Sequence, residues 1–430
     1  MSSKLIAIAE GRVMGEITYG GGRMVFRYDP VWQESESAFP LSLAMPLVVQ
    51  EHGHAATEAF LWGLLPDHET VLQRWGQRFR VSARNPFRLL EHVGEDCAGA
   101  VQFVKPERVD LLLKNLRKPL VSWISDKDLD ARMELLVQDA AATRLGGDTG
   151  QFSLAGAQPK LALYRNEDSE RWGIPEGRTP TTHILKPSTG SFDGQTENEH
   201  FCLQLARQLG FVAANSWIMV SGKTPVIVIE RYDRIRKGMK VHRIHQEDMC
   251  QALGVPPHRK YQNQGGPSAK QIAELLYTHS THPADDVWRF ADSLILNWLI
   301  GGTDGHAKNF SLLIGVKQQV RLAPLYDVAS SLPYSQQIQP RKAKLALKIG
   351  REYRLQRIDR RDWETCAREL RLPAKGLLHR ILQLAEALPD AAKETAHQLQ
   401  SSGITAPIIP KLVAALGGHC QNCITALSKK

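Results

Sequence analysis

Between Val287 and Ile314 the chain changes character three times, and that succession constrains the fold more than any other stretch. Val287, Phe290, Ala291, Leu294, Ile295 and Trp298 recur at helical spacing, which is the apolar stripe of a packed helix. Gly301-Gly302 then ends the helix. Thr303-Asp304-Gly305-His306-Ala307-Lys308-Asn309 follows as a short polar loop, and Phe310 to Ile314 is apolar and strand-like. A capping Asp and a turn Asn account for single polar residues at such a place. They do not account for four polar groups held between two core elements.

The order of those groups suggests chemistry. Asp304 stands five residues before Asn309, and Leu325-Tyr326-Asp327 brings a second carboxylate. Kinase-type phosphoryl transfer uses these parts in this order: an Asp for the attacking hydroxyl, an Asn on the same loop for magnesium, and a later Asp for magnesium against the ATP phosphates. The Asp-to-Asn spacing alone is a weak signal. A metal site built on Asp304 and His306 is the competing reading, but no further His/Cys cluster stands near in sequence.

Neither G-x-x-x-x-G-K-[ST] nor G-x-G-x-x-G occurs, so a P-loop or Rossmann site is not supported. Instead Phe152-Ser153-Leu154-Ala155-Gly156-Ala157-Gln158-Pro159-Lys160 precedes an apolar run. Its small residues let backbone N–H groups approach an anion closely. Thr181-Thr182-His183-Ile184-Leu185-Lys186-Pro187 reads as a short strand ending in a lysine, either solvated or aimed at phosphates. Glu197-Asn198-Glu199-His200 opens a helical segment with Phe201, Cys202 and Leu205 on one side. Its acids complement a helix dipole, or Glu199 pairs with Lys186. Val226 to Ile229 is a buried-strand run, followed by Glu230-Arg231-Tyr232-Asp233-Arg234, where a kinase places its adenine-binding hinge.

Together these segments resemble the HipA family of serine/threonine kinases, the toxins of bacterial toxin–antitoxin pairs. The resemblance rests on Ser153 to Lys160, Thr181 to Lys186, Asn198-Glu199, Glu230 to Arg234, Gln246-Glu247-Asp248-Met249-Cys250-Gln251, Thr303 to Phe310 and Leu325-Tyr326-Asp327. It extends to Pro40 to Leu47, Leu65-Pro66-Asp67 and Val93 to Ala100, so it spans nearly the whole chain. Pro159, where an acidic residue often stands, and the region around Arg341 to Lys348 depart from the pattern.

The resemblance implies an α+β, protein-kinase-like fold of two lobes with a small N-terminal β-rich subdomain and a mainly helical C-terminal lobe. It implies boundaries at 1–105, 106–235 and 236–430. It makes Asp304 the catalytic base and Asn309 and Asp327 the magnesium ligands. Ser153, Ala155, Gly156, Ala157, Gln158, Lys186, Glu230, Tyr232, His306, Lys308 and Asn309 would contact ATP, Glu230 and Tyr232 through their backbone. Ser153 would be the autophosphorylation site, and Ser188 to Gly194 the activation-loop region. The implied cofactors are ATP and Mg2+. The implied partners are a HipB-like helix-turn-helix antitoxin, DNA mainly through that antitoxin, and a protein substrate, glutamate–tRNA ligase among the candidates. Two alternatives stand beside this: a related kinase with another protein or small-molecule substrate, and a corepressor acting chiefly with the antitoxin.

Composition agrees. The chain has 430 residues, 43% of them hydrophobic and 23% charged, as in soluble globular proteins. No apolar run approaches the roughly 20 residues of a membrane span, and Met1 to Ile8 carries no extended signal core. Six scattered cysteines point to a reducing, cytoplasmic setting. Cys420-Gln421-Asn422-Cys423 has no second pair to complete a zinc site and reads as the end of a helix. The net charge of +9 is compatible with DNA or an acidic partner. Basic residues gather at Arg231, Arg234, Arg236, Lys237 and Lys240 and from Arg341 to Arg361, where solvated surface is the plainer reading.

Overall fold

Residues 3–113, 119–142, 152–190, 192–238 and 240–428 are described in the computed structural model. Ser191 of the expected activation-loop region lies outside them. Internal contacts divide the chain into two units. The first comprises residues 1–187, 219–258 and 312–320, and the second residues 188–218, 259–311 and 321–430.

The first unit begins with a five-stranded sheet made of β1 (Ser3–Ala9), β2 (Arg12–Gly20), β3 (Arg23–Tyr28), β4 (Glu51–His52) and β5 (Val101–Val104), in the order β4-β3-β2-β1-β5. The hairpins follow from turn chemistry. Gly20 pairs with Arg23, and Gly21 and Gly22 between them have φ of +57° and +76°, the left-handed pair that a two-residue hairpin requires. Leu5, Ala7, Ile8, Ile17 and Phe26 are fully buried on the sheet. Helices α1 (His54–Gly63), α2 (Glu69–Phe79) and α3 (Pro86–Val93) follow β4.

The second sheet contains β6 (Val121–Trp123), β7 (Leu161–Arg165), β8 (Trp172–Pro175), β9 (His183–Pro187), β10 (Ser216–Ser221) and β11 (Thr224–Glu230), ordered β10-β11-β9-β7-β8-β6. Its centre is antiparallel, with Ile227 opposite Lys186 and Leu161 opposite Leu185. Val226, Ile227 and Val228 are fully buried, so the β-branched run reads as a central strand because both its faces are covered. A small hairpin of β12 (Arg234–Lys237) and β13 (Lys240–Arg243) leads to β14 (His245–Asp248), which neighbours β15 (Ser311–Ile314).

One buried group in this unit titrates unusually. Glu247, 1% exposed, accepts from the Leu43 N–H at 2.8 Å, while its Oε2 meets no hydrogen-bond partner among the described residues. Burial pushes its carboxyl up to about 8. The folded state therefore holds this proton more tightly than the unfolded chain, and stability falls as pH rises from the ordinary carboxylate range through about 8. Glu247→Gln keeps the acceptor without the charge. Its melting temperature is expected to exceed that of the wild type on the alkaline side of this window, and parallel curves would show that Glu247 is not the titrating group.

The second unit is mainly helical. It holds α4 (Gln195–Gln208), α5 (Ala269–His279), α6 (Pro283–Ile300), α7 (Arg360–Glu369), α8 (Ala374–Ser401) and α9 (Ile408–Ser428), with β16 (Lys344–Ile349) and β17 (Glu352–Arg354) as a hairpin. The stripe read from sequence is the core face of α6: Val287, Phe290, Ala291, Ile295 and Trp298 are buried. Gly301 caps it at φ +66°, where a Cβ would lie 2.7 Å from Leu332. In α8, Leu377, Leu378, Ile381, Ala385 and Leu388 are buried, as their spacing suggests, while Leu382 is half-buried. Helix α4 departs from a one-sided reading, because Glu197, Asn198, Glu199 and His200 are buried together with Phe201 and Leu205. Cys420 and Cys423 lie inside α9, buried at 1% and 2% exposure. Burial pushes the Cys420 thiol up to about 12, as for a structural rather than a reactive cysteine.

Candidate active site

In the second unit the site is built on the turn after α6. Ala307–Asn309 forms one 3-10 turn. His306, Lys308 and Asn309 are buried at 5%, 5% and 8% exposure, whereas Asp304 faces solvent. The loop is closed by its own polar atoms: the His306 N–H donates to the Asp304 carbonyl at 2.7 Å, and Asn309 Nδ2 donates to the same carbonyl at 2.8 Å. Asn309 thereby fixes the base of Asp304 with its amide nitrogen.

The segment carrying Asp327 is tied to this loop. The Tyr326 hydroxyl donates to the Lys308 carbonyl at 2.6 Å and lies 2.6 Å from Ser311 Oγ. Leu325 is fixed on its other side, donating to the Val212 carbonyl and accepting from the Ala214 N–H, both at 2.8 Å. Asn198 of α4 grips the chain just beyond: its Nδ2 donates to the Ser330 carbonyl at 2.8 Å and its Oδ1 accepts from the Ser330 N–H at 2.9 Å. Between these anchors Asp327 adopts φ +58°. Asp tolerates this left-handed backbone better than most residues, and such conformations gather at functional sites. Asn198 was legible in sequence only as part of a matching segment, because its role is a contact across 132 residues. Among the described residues no group of three or more His, Cys, Asp and Glu side chains can hold a metal, so the reading based on Asp304 and His306 finds no third ligand.

In the first unit the glycine-containing loop is drawn in tightly. Ser153 is fully buried, and its hydroxyl donates to the Leu64 carbonyl at 2.8 Å. Gly156 has φ +108°, and a Cβ there would lie 2.4 Å from Lys160 Nζ. Lys160 Nζ donates to the Ala155 carbonyl at 2.7 Å. Glycine is favoured here by the backbone angle, since the lysine over it is a flexible side chain that can move. Ala157 and Gln158 line the same cavity as Gly156 and Lys160. Among the described residues Gln158 Nε2 is buried without a hydrogen-bond partner, a donor of the kind a phosphate oxygen satisfies.

Lys186 lies near the end of β9 and is 4% exposed, so the solvated reading fails. Glu199 is 3% exposed in α4 of the second unit. After β11, Glu230 is exposed and Tyr232 half-buried, with the Tyr232 hydroxyl donating to Gln246 Oε1.

The basic residues after β11 need correction. Arg231 and Arg234 are buried at 4% and 8% exposure, not solvated. They surround Asp96 and Asp233. Arg231 Nη2 and Arg234 Nη1 donate to Asp233 Oδ2 at 2.8 and 2.9 Å. Arg234 Nη2 and Arg243 Nη2 donate to Asp96 Oδ1 at 3.1 and 2.9 Å. Thr181 donates to Asp96 Oδ2 through its N–H at 2.9 Å and its hydroxyl at 2.6 Å. The Asp96 carbonyl also accepts from the Ser153 N–H at 3.0 Å. One residue of the N-terminal part therefore holds the segment after β11, the approach to β9 and the start of the glycine-containing loop. Sequence reading placed Asp96 only within a matching segment; buried ion pairs between distant segments leave no local pattern.

Known proteins match this arrangement. Residues 5–104 match the HipA N-terminal domain and residues 152–392 the HipA-like C-terminal domain. The "Putative kinase Y4mE" of Sinorhizobium fredii is 37% identical over 89% of this chain and 89% of its own length. The serine/threonine-protein kinase toxin HipA of Shewanella oneidensis is 29% identical over 89% of this chain and 87% of its own. A solved structure of Shewanella oneidensis HipA with HipB and its operator DNA superposes with a TM-score of 0.81 at 24% identity, covering 98% of this chain and 97% of that one, which shows the shared fold. The α+β kinase-like architecture follows, and the chain belongs to the HipA family of serine/threonine kinase toxins.

Proposed function

We propose that this kinase transfers the γ-phosphoryl group of ATP to a serine or threonine hydroxyl, with Asp304 as the base. The observation that carries the reading is the solvent-facing Asp304 held at its backbone by Asn309, beside a buried Lys308 and a tethered Asp327. Asp304 takes the proton of the acceptor hydroxyl as that oxygen attacks phosphorus. Lys186, Gln158 and the Ala155–Ala157 backbone hold phosphate oxygens, and the Glu230 and Tyr232 backbones hold adenine. His306 and Lys308 orient the loop. The Asn309 amide oxygen and the Asp327 carboxylate are hard oxygen donors, the kind that suits Mg2+ shared with substrate phosphates. Mg2+ there supplies charge neutralisation on the phosphates.

Ser153 is the autophosphorylation site in this reading. Its hydroxyl is fully buried and bonded to the Leu64 carbonyl, so the loop must open for it to react. A phosphate adds about two negative charges, and their desolvation prevents the loop from packing back under Leu64. Phosphorylation thus switches the enzyme off. Ser153→Ala is expected to lose self-incorporation and to stay active longer; undiminished incorporation would identify another acceptor.

The physiological target is a serine on a protein of translation, with glutamate–tRNA ligase the first to try, and a cytoplasmic helix-turn-helix antitoxin neutralises the kinase. A corepressor role beside the antitoxin draws on charge: residues 341–361 hold nine Lys and Arg against two acidic residues. Arg341, Lys342, Lys344, Arg351 and Arg357 are exposed, a surface that suits an auxiliary contact to DNA. The deciding experiment is intact mass after incubation with ATP and Mg2+, with fragment mapping. One added phosphate on Ser153 is expected. A protein unmodified both before and after incubation would favour the corepressor.

A further inference from the structure

The segment Arg259–Gly266 carries no feature that marks it in sequence, yet it lies against the catalytic loop of the second unit. The Tyr261 hydroxyl donates to Asp304 Oδ1 at 2.6 Å. Among the described residues no other hydrogen bond reaches that carboxylate. The Tyr261 ring meets the His306 imidazole edge-on, with centroids 5.0 Å apart and planes at 86°. Next to it, the Lys260 carbonyl accepts from the Ala307 N–H at 3.2 Å. The tyrosine therefore touches this loop through its ring and hydroxyl, and its neighbour Lys260 touches it through the backbone.

The segment presenting Tyr261 is itself stiff. The Gln264 and Gly266 N–H groups both donate to the Tyr261 carbonyl at 3.0 Å. A Cβ at Gly266 would fall 2.0 Å from the Arg259 carbonyl oxygen, so only glycine closes this turn. Gln262 Oε1 accepts from the Lys348 N–H at 2.9 Å, pinning the segment to β16. A donor on a rigid support restricts the rotamers of the carboxylate it binds, and catalytic groups held in the reactive geometry gain rate without gaining substrate affinity.

We propose that Tyr261 is a positioning residue, holding Asp304 through Oδ1 so that Oδ2 is turned to the acceptor hydroxyl. The inference rests on Asp304 being the base. In the step it serves, the acceptor O–P bond forms and the bond from the γ-phosphorus to the bridging oxygen of ADP breaks. The acceptor proton passes to Asp304, and Tyr261 keeps its own proton throughout.

The test is Tyr261→Phe in the full chain, which removes one oxygen and leaves the ring against His306. The charge-assisted hydrogen bond predicts a fall in kcat of about tenfold, with KM for ATP and the unfolding midpoint unchanged. An unchanged or increased kcat overturns the proposal, an increase meaning that the phenol occupies the acceptor's seat. A fall accompanied by matching shifts in KM and unfolding midpoint also overturns it, since the tyrosine is then only structural. Absence of phosphate incorporation by the wild type removes the assignment of Asp304 and this inference together, whereas equal turnover by wild type and variant removes the inference alone.

Discussion

Asp304→Ala is expected to lower phosphate incorporation from ATP by roughly 10²–10⁴-fold, the usual contribution of a positioned base, while the protein stays folded. The fold should survive because Asp304 faces solvent and its structural bonds use the backbone carbonyl, which accepts from His306 and Asn309. Alanine keeps that carbonyl. The side chain loses only its bond from Tyr261, a solvent-facing contact of little stabilising value. Intact-mass measurement against time, beside a melting curve, separates the two effects. Retained turnover with normal melting would show that another group takes the proton. Asp327→Ala should lose transfer to a similar extent, through loss of the magnesium oxygen donor rather than of the base.

Asp96→Ala should do the reverse and strike the fold first. Asp96 is buried and accepts from Thr181, Arg234 and Arg243, with Arg231 Nη1 at 3.6 Å. Removing it leaves the half-buried Arg243 without its carboxylate and the buried Arg231 and Arg234 with Asp233 alone. Breaking one side of a buried pair costs roughly 3–5 kcal/mol, because the remaining charge stays out of water. Burial and the like charge of Arg231 already push Arg234 down to about 10, which shows how crowded the positive charge is. The same arginines, with the Thr181 hydrogen bond, outweigh burial and hold the Asp96 carboxyl well below the usual carboxylate range. Its folded value lies below its unfolded value, so its contribution is fully present at neutral pH and fades only as pH falls through the acid range.

The variant should therefore melt earlier at neutral pH and approach the wild type as both are acidified. Nucleotide affinity should weaken with stability, since the hinge and the glycine loop share Asp96 as an anchor. An unchanged melting curve at neutral pH would show that water replaces the carboxylate at no cost.

Local pattern was enough for the elements that make the site. The apolar stripe of α6, its glycine stop, the polar loop and the strand after it occur where periodicity and turn chemistry put them. The hairpin around Gly21-Gly22 is equally local, because positive φ at two successive residues is a glycine property. The order of Asp304, Asn309 and Asp327 could be read for the same reason: the loop and the segment tethered to it by Tyr326 stand close in sequence.

What sequence left open were the environments set by distant segments. Lys186, Arg231 and Arg234 look like surface cations in sequence, and the structure buries all three. A charged residue leaves the surface only when partners far along the chain supply opposite charge and hydrogen bonds, and Asp96 comes from more than a hundred residues before the two arginines. Tyr261 is the same case, an ordinary aromatic in a loop until folding brings its hydroxyl to Asp304 across 43 residues. Sequence by itself determined the elements, the family and the order in which the candidate groups Asp304, Asn309 and Asp327 stand. Tertiary structure alone decided which of them are buried, what each one touches and how Asp304 is aimed, because burial and hydrogen-bond partners are properties of contacts that no local period encodes.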